Sequence, residues 1–292
     1  MFKKINFKKE FKKFIKIYNN KPIQNNQSGM KIDHCFALFC FLKKINPKYV
    51  IESGVWKGQT TWLIKETLKN AKIISIDIDL SNREVIYDDV TYLDKDISKY
   101  KWNKIKKSRA VIIFDDHVCF SKRLNFLKKN KFKHIIFDDN LPNGFIGYYT
   151  PKIIFEKQLL TKKEFIKYTN IWRIIKFLSK ALFQKSFFKN NEIIFKSRFV
   201  KIINRPNYNL KLKNYFDWFR KQIITYYEFP PLTKFNIKKR FNKIIENFDE
   251  NIKIFPYKVK EPINKLNKLN INNKLSKELN VQYANICYVK LK

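Results

Sequence analysis

Two pentapeptides 23 positions apart, Ile113-Phe114-Asp115-Asp116-His117 and Ile136-Phe137-Asp138-Asp139-Asn140, set four carboxylates at the ends of apolar runs. They do so in a chain that holds only 25 Asp and Glu against 62 Lys and Arg. Carboxylates grouped in this way repel one another unless a cation or hydrogen-bond donors hold them. Two readings follow. Either the acids converge on one polar site, or they act singly, with Asp116 capping the next helix and Asp138 and Asp139 as solvated loop acids.

A second set of residues lies upstream in ESGVWKGQTT, residues 52–61. Gly54 and Gly58 stand four apart after an apolar, β-branched run and before a helical pattern. Glycines there let the backbone turn sharply and approach a ligand closely. The spacing is neither the G-x-G-x-x-G of dinucleotide sites nor the GK[ST] of a phosphate loop, and Glu52 before the glycines disfavours phosphate. Asp77 ends the next apolar run, KIISID, where a carboxylate can accept both hydroxyls of a ribose. Singly, Asp77 also reads as a solvated strand end and the glycines as a turn.

The elements that position these residues alternate. YVIESG, KIISIDID, VTYLDKD, AVIIFDDH and HIIFDDN read as strands, the third the weakest, and DHCFALFCFLKKINP, stopped at Pro47, QTTWLIKETLKN and SKRLNFLKKNK as helices between them. Strands alternating with helices of about a dozen residues predict an α/β fold with a mostly parallel sheet and helices on both faces. Ligands in such sheets bind beyond the carboxyl ends of the strands, where all of these acids fall. The closing YANICYVKLK alternates and is predicted to return as a last, antiparallel strand.

With those residues in order, the chain resembles the class I S-adenosylmethionine-dependent methyltransferases over residues 30 to 145. VIESGVWKGQTTWLI is similar to their first motif, E-x-G-x-x-x-G-x-[ST]. The resemblance implies a Rossmann-like methyltransferase sheet and a cofactor site made by Glu52, Gly54, Trp56, Gly58, Thr60, Thr61, Asp77 and, beside the adenine, Asp96. In metal-dependent members similar to catechol O-methyltransferase, an Asp-His pair and an Asp-Asn pair end strands four and five. The resemblance therefore implies a Mg²⁺ ion, or another divalent cation, held by Asp116, Asp139 and Asn140. Oxygen ligands of that kind suit a hard cation. Coordination would lower the pKa of an acceptor hydroxyl and orient it. The pattern departs at Cys119, where the catechol enzymes carry a lysine. Lys122 is the nearest basic residue apart from Arg123, and His117 is either the base or a neutral neighbour of the metal. A second group of relatives, the cephalosporin hydroxylase-like and macrolide-sugar O-methyltransferases, has similar paired acids, so the acceptor expected is the hydroxyl of a sugar or another small molecule.

The formal charge of +37 invites a nucleic-acid partner, and with it an RNA-binding protein or RNA methyltransferase as an alternative. Only eight of the 62 cations are Arg, the residue that base-edge recognition favours. The excess of Lys, Asn, Ile, Phe and Tyr also fits a composition set by an AT-rich coding bias. A methyltransferase-fold binding protein without activity is a further alternative, which Cys119 allows.

At the N-terminus, Phe7, Phe11, Phe14, Ile15 and Tyr18 share one face of a basic amphipathic helix. That face either docks on the chain's own domain or makes a peripheral contact with an anionic membrane. Cys35, Cys40, Cys119 and Cys287 show no CxxC pairing and lie mostly among apolar residues, which predicts buried free thiols and a reducing, cytoplasmic setting. No secretion signal or membrane span is expected. The organisation expected is a helix over 1–29, a cofactor-binding core over 30–150, a mostly helical cap over 151–275, with Tyr226, Tyr227 and Phe229 in a sugar pocket or its core, and the returning strand over 276–292.

Overall fold

The computed structural model describes residues 5–140, 149–155, 210–229, 252–253 and 285–292. Eight strands form one sheet: β1 (Tyr49–Ser53), β2 (Lys72–Ile76), β3 (Val90–Leu93), β4 (Ala110–Phe114), β5 (His134–Phe137), β6 (Ile223–Glu228), β7 (Ile252–Lys253) and β8 (Cys287–Leu291). Their order is β3-β2-β1-β4-β5-β8-β6-β7. The first five are mutually parallel, and β8 runs antiparallel to both β5 and β6. This is the mostly parallel sheet with an antiparallel closing strand that the sequence predicts. All five residues of β4 are buried, as a central parallel strand covered on both faces requires.

Among the described residues the α-helices are α1 (Phe7–Tyr18), α2 (Ile32–Ile45), α3 (Gln59–Thr67), α4 (Phe120–Asn130) and α5 (Leu210–Gln222). Asn6 caps α1 by accepting the Lys9 N–H at 3.0 Å. Asn46 ends α2 in the left-handed conformation ahead of Pro47, which cannot continue a helix. Val50, Val111, Ile113 and Ile136 share one cluster with the apolar faces of α1, α2 and α3, while Ile51, Ile112 and Ile135, alternating with them, are equally buried on the other face. The N-terminal face is therefore used internally. Phe14 sits 5.2 Å from Phe36 and 5.6 Å from Phe39, ring centre to ring centre, and Phe11 lies edge-on to Phe36 at 5.0 Å. The apolar residues that would enter a membrane are covered by α2. Among the described residues no helix is long and apolar enough to cross one.

The sheet and helices α1 to α3 belong to a compact unit made from Met1–His117, Leu127–Asp139 and Gln222–Lys292. A second unit comprises Val118–Phe126 and Asn140–Lys221. In that unit Phe120 stacks on Phe216 at 6.0 Å and meets Phe219 edge-on at 5.0 Å.

The expectation of a mostly helical cap over 151–275 is corrected at 223–228. The stretch NYFDWFRKQIITYYEF is helical only to Gln222 and continues as β6. Its β-branched and aromatic run, Ile223 to Tyr227, fits a pleated surface better than a helix. Tyr226, Tyr227 and Phe229 are 0%, 2% and 0% exposed, so they are core residues and do not line a sugar pocket. The rest of that span lies largely outside the described residues. Cys35, Cys40 and Cys287 are buried free thiols, and Cys119 is half-buried.

Candidate functional site

Strand register explains the repeated pentapeptides. Ile113 pairs with Ile136 and Phe114 with Phe137, so the two copies lie side by side and in step. Their next residues, Asp115 and Asp116 on one strand and Asp138 and Asp139 on the other, leave the sheet together at its carboxyl end. Neighbouring parallel strands are about 4.8 Å apart, so the acids form one cluster.

What holds the cluster is a set of donors. The Ser53 hydroxyl donates to Asp116 Oδ2 at 2.5 Å from the end of β1. His34, in the first turn of α2, lies 2.6 Å through Nδ1 from Asp138 Oδ1. His117 Nδ1 is 3.0 Å from Asp139 Oδ2, with both residues at positive φ, 52° and 53°. Burial raises the Asp115 pKa well above the ordinary carboxylate range, and the charges of Asp138, Asp139 and Asp116 and the hydrogen bond with Asp138 push it the same way. Burial opposes charge on His34, yet Asp138 more than offsets it and lifts the imidazole to about 10. The Asn285 backbone N–H, 3.3 Å from His34 Nε2, points the other way because it asks for a lone pair there. The Asp138 contact is much the shorter, and the upward direction stands. Asp33, beside His34, is 1% exposed with neither carboxylate oxygen partnered, and burial raises its pKa too.

The glycine loop is built just as tightly. Gly54 has φ +101°, and a Cβ there would stand 2.2 Å from the Asp115 carbonyl oxygen. Gly58 has φ +91° and would meet the Val85 carbonyl at 2.7 Å. Both positions thus need glycine for conformation and for space. Between them, the Val55 and Trp56 N–H groups donate to Asp77 Oδ2 at 2.8 and 3.1 Å, and Asp79 N–H to Oδ1 at 3.2 Å. Asp77 is half-buried and anchors the loop to the end of β2. Trp56 donates its indole N–H to the Gln27 carbonyl at 3.0 Å and leaves 42% of its surface exposed.

Several expected site residues have other duties. Glu52 is completely buried, accepting from Thr61 and Ser75 hydroxyls at 2.6 and 2.5 Å through Oε2 while Oε1 has no partner. Burial raises its pKa to about 7, against those two hydroxyl bonds. Glu52 and Thr61 therefore face each other and tie β1 to α3, and Thr60 is 5% exposed. Asp96 caps a 3-10 turn, accepting from the backbone and hydroxyl of Ser98 at 2.9 and 2.6 Å. In the second unit Asn140 accepts the Lys152 N–H at 3.1 Å and is 2% exposed. Lys122 is exposed on α4. Among the described residues no three His, Cys, Asp or Glu are arranged to hold a metal ion.

Asp33, His34 and Ser53 are the site residues that sequence reasoning misses. The available signal is an Asp-His pair in the first turn of α2, polar in a helix whose following seven residues, Cys35 to Phe41, are all buried.

No protein-family profile and no curated protein sequence matches the chain. Several solved structures resemble it in part. One, cmcI-D160 with Mg and S-adenosylmethionine, is 20% identical over 41% of this chain and 58% of that one, with a TM-score of 0.34. Another, cmcI-N160 with S-adenosylhomocysteine, is 18% identical over 42% of this chain and 70% of that one, at 0.36. The O-methyltransferase from Bacillus cereus in complex with S-adenosylhomocysteine is 12% identical over 49% and 70%, at 0.32. The match thus spans less than two thirds of the first of these chains.

Proposed function

We propose that this chain is an S-adenosylmethionine-dependent methyltransferase that methylates a hydroxyl of a sugar or other small molecule. The observation that carries the reading is the pairing, at one end of one sheet, of a glycine loop fastened to Asp77 with a strand-end cluster of acids and imidazoles. The cofactor supplies a methyl group on a sulfonium centre, so the protein has to bind it, align an acceptor oxygen and take up one proton.

The chain's residues divide those tasks. Gly54 and Gly58 give the loop its turns and let it pack against the Asp115 and Val85 carbonyls, which sets the surface a cofactor would approach. Asp77 keeps that loop in place through Oδ2, which accepts from Val55 and Trp56, while Oδ1, accepting only from Asp79, retains a lone pair for a ribose hydroxyl. Trp56 leaves an indole face for the adenine side of the pocket. His117 is the base: with Nδ1–H donated to Asp139, Nε2 is the basic nitrogen of the neutral ring, and the carboxylate stabilises the imidazolium once a proton is taken. This is the arrangement of a base oriented by an acid, and it needs no lysine at position 119.

Mg²⁺ meets these residues in chemistry and not in geometry. Carboxylate oxygens of Asp116 and Asp139 suit a hard cation. Asp116 already accepts from Ser53, Asp139 pairs with His117, and Asn140 accepts from Lys152. No step is therefore derived through a metal, and titration with Mg²⁺ decides whether the acids exchange these donors for a cation.

The test is transfer of an isotopically labelled methyl group from S-adenosylmethionine to a panel of pyranose sugars, polyols and catechols. Label on an acceptor oxygen, reduced roughly 10²-fold or more in His117→Asn with cofactor affinity unchanged, supports the reading. Undiminished transfer by His117→Asn removes the base from it. Cofactor binding with no transfer to any acceptor leaves a binding protein.

A further inference from the structure

We propose that the amino-end edge of the sheet, opposite the acid cluster, is a binding surface for the phosphate backbone of a single-stranded nucleic acid. Five segments meet that edge between β2 and β8: 43–48, 69–72, 104–109 and 128–133, which lead into β1, β2, β4 and β5, and 290–292, where antiparallel β8 ends; the segment into the outer strand β3, 84–89, is acidic instead, with Glu84, Asp88 and Asp89. Together these five hold fifteen Lys or Arg and no Asp or Glu, with Lys43 paired to Glu10 of α1. The segments leaving the opposite end of β1 to β5, at 52–54, 77–79, 94–96, 115–117 and 138–140, hold nine Asp or Glu and one lysine. Coding bias sets how many lysines a chain has and cannot sort them between the two edges of one sheet.

The basic edge is also concave. A cavity of about 530 Å³ opens there, walled by Lys48, Lys69, Lys72 and Arg109 with Asn46 and Asn70. Lys69 is paired with Glu66 at 2.9 Å. Lys48, Lys72 and Arg109 are exposed and have no described acidic partner, so their charge is available to a ligand. The strands β2, β1, β4, β5 and β8 are consecutive neighbours, which at the usual spacing makes the row roughly 19 Å long. A row of that length fits successive phosphates of an extended strand better than a single phosphate group. With one Arg among the four wall cations, the contact is a point-charge one, independent of base sequence. Because the edge lies at the far end of the strands from Asp77 and the acids, the bound strand is held by the protein and is not its methyl acceptor.

Fluorescence anisotropy of a labelled 20-nucleotide oligo(dT), read over a salt series, tests this. The triple variant Lys48→Glu, Lys72→Glu, Arg109→Glu is compared with Lys8→Glu, Lys9→Glu, Lys12→Glu, which makes the same charge change on the exposed face of α1. All six side chains are exposed, so both variants should fold, as circular dichroism and an unchanged S-adenosylmethionine affinity will verify. The proposal expects the first variant to bind at least 10-fold more weakly, with the slope of log K against log salt smaller by about 2, and the second to differ far less. Equal losses in the two variants overturn it, since net charge alone then drives binding. It is equally overturned if the wild-type protein prefers phosphatidylserine vesicles to the oligonucleotide through the same three residues, or binds neither.

Discussion

At the scale of single residues, the site is a balance of buried charges, and its titrations make that visible. Glu52 holds its proton to about 7 in the folded chain against 4.5 when unfolded. The folded state therefore binds the extra proton between those values, and stability falls as pH rises from 4.5 through 7, by about 3 kcal/mol at most. Glu52→Gln removes this dependence, and urea midpoints at pH 5 and pH 8 will differ less in the variant than in the wild type. His34 has the opposite chemistry. Its folded pKa of about 10 exceeds the ordinary 6.5, so its contribution is complete below 6.5 and is lost as pH climbs towards 10. His34→Gln leaves Asp138 without its cation, should cost about 3 kcal/mol at pH 6, and should cost clearly less at pH 10. A loss that is the same at both pH values contradicts the pairing. Asp116, Asp139 and Asp77 could be picked out from sequence because each ends a strand-like run. The pairing of His34 with Asp138 could not, since it joins residues 104 positions apart.

Elements carry the next level of the account. Strands β1, β2, β4 and β5 were legible because each is a short, nearly continuous apolar run closed by a polar residue. The same features made their carboxyl ends legible as a site. β6 was not, because Ile223 to Glu228 continues directly from α5 with no glycine or proline between them, and aromatic periodicity suits either state. Helix α1 was legible as amphipathic, while its partner was not, since an apolar face says only that something covers it. That partner is α2, and the contact is a strong one: Phe14 touches the rings of Phe11, Tyr18, Phe36 and Phe39. Phe14→Ala should lower the unfolding free energy by about 3–4 kcal/mol, measured in urea. A cost under 1 kcal/mol would mean that α1 is not part of the cooperative core.

Across the whole molecule, charge is sorted as well as abundant. A net +37 on 292 residues destabilises any compact state by self-repulsion. Screening relieves this, so the melting temperature should rise between 50 and 500 mM NaCl; a fall would show that the local ion pairs outweigh the repulsion. The sequence shows the size of the charge but not its placement, because the basic segments become one edge only when parallel strands bring their amino ends together. The acids become one cluster for the same reason. In the proposed reading the cofactor is bound through Asp77, and everything proposed about methyl transfer depends on that step. The first measurement is therefore calorimetric titration of S-adenosylmethionine into the full chain and into Asp77→Ala, with Mg²⁺ and with EDTA. The account predicts micromolar binding by the wild type and a loss of about 100-fold in the variant. No binding by the wild type, or equal binding by both proteins, contradicts it.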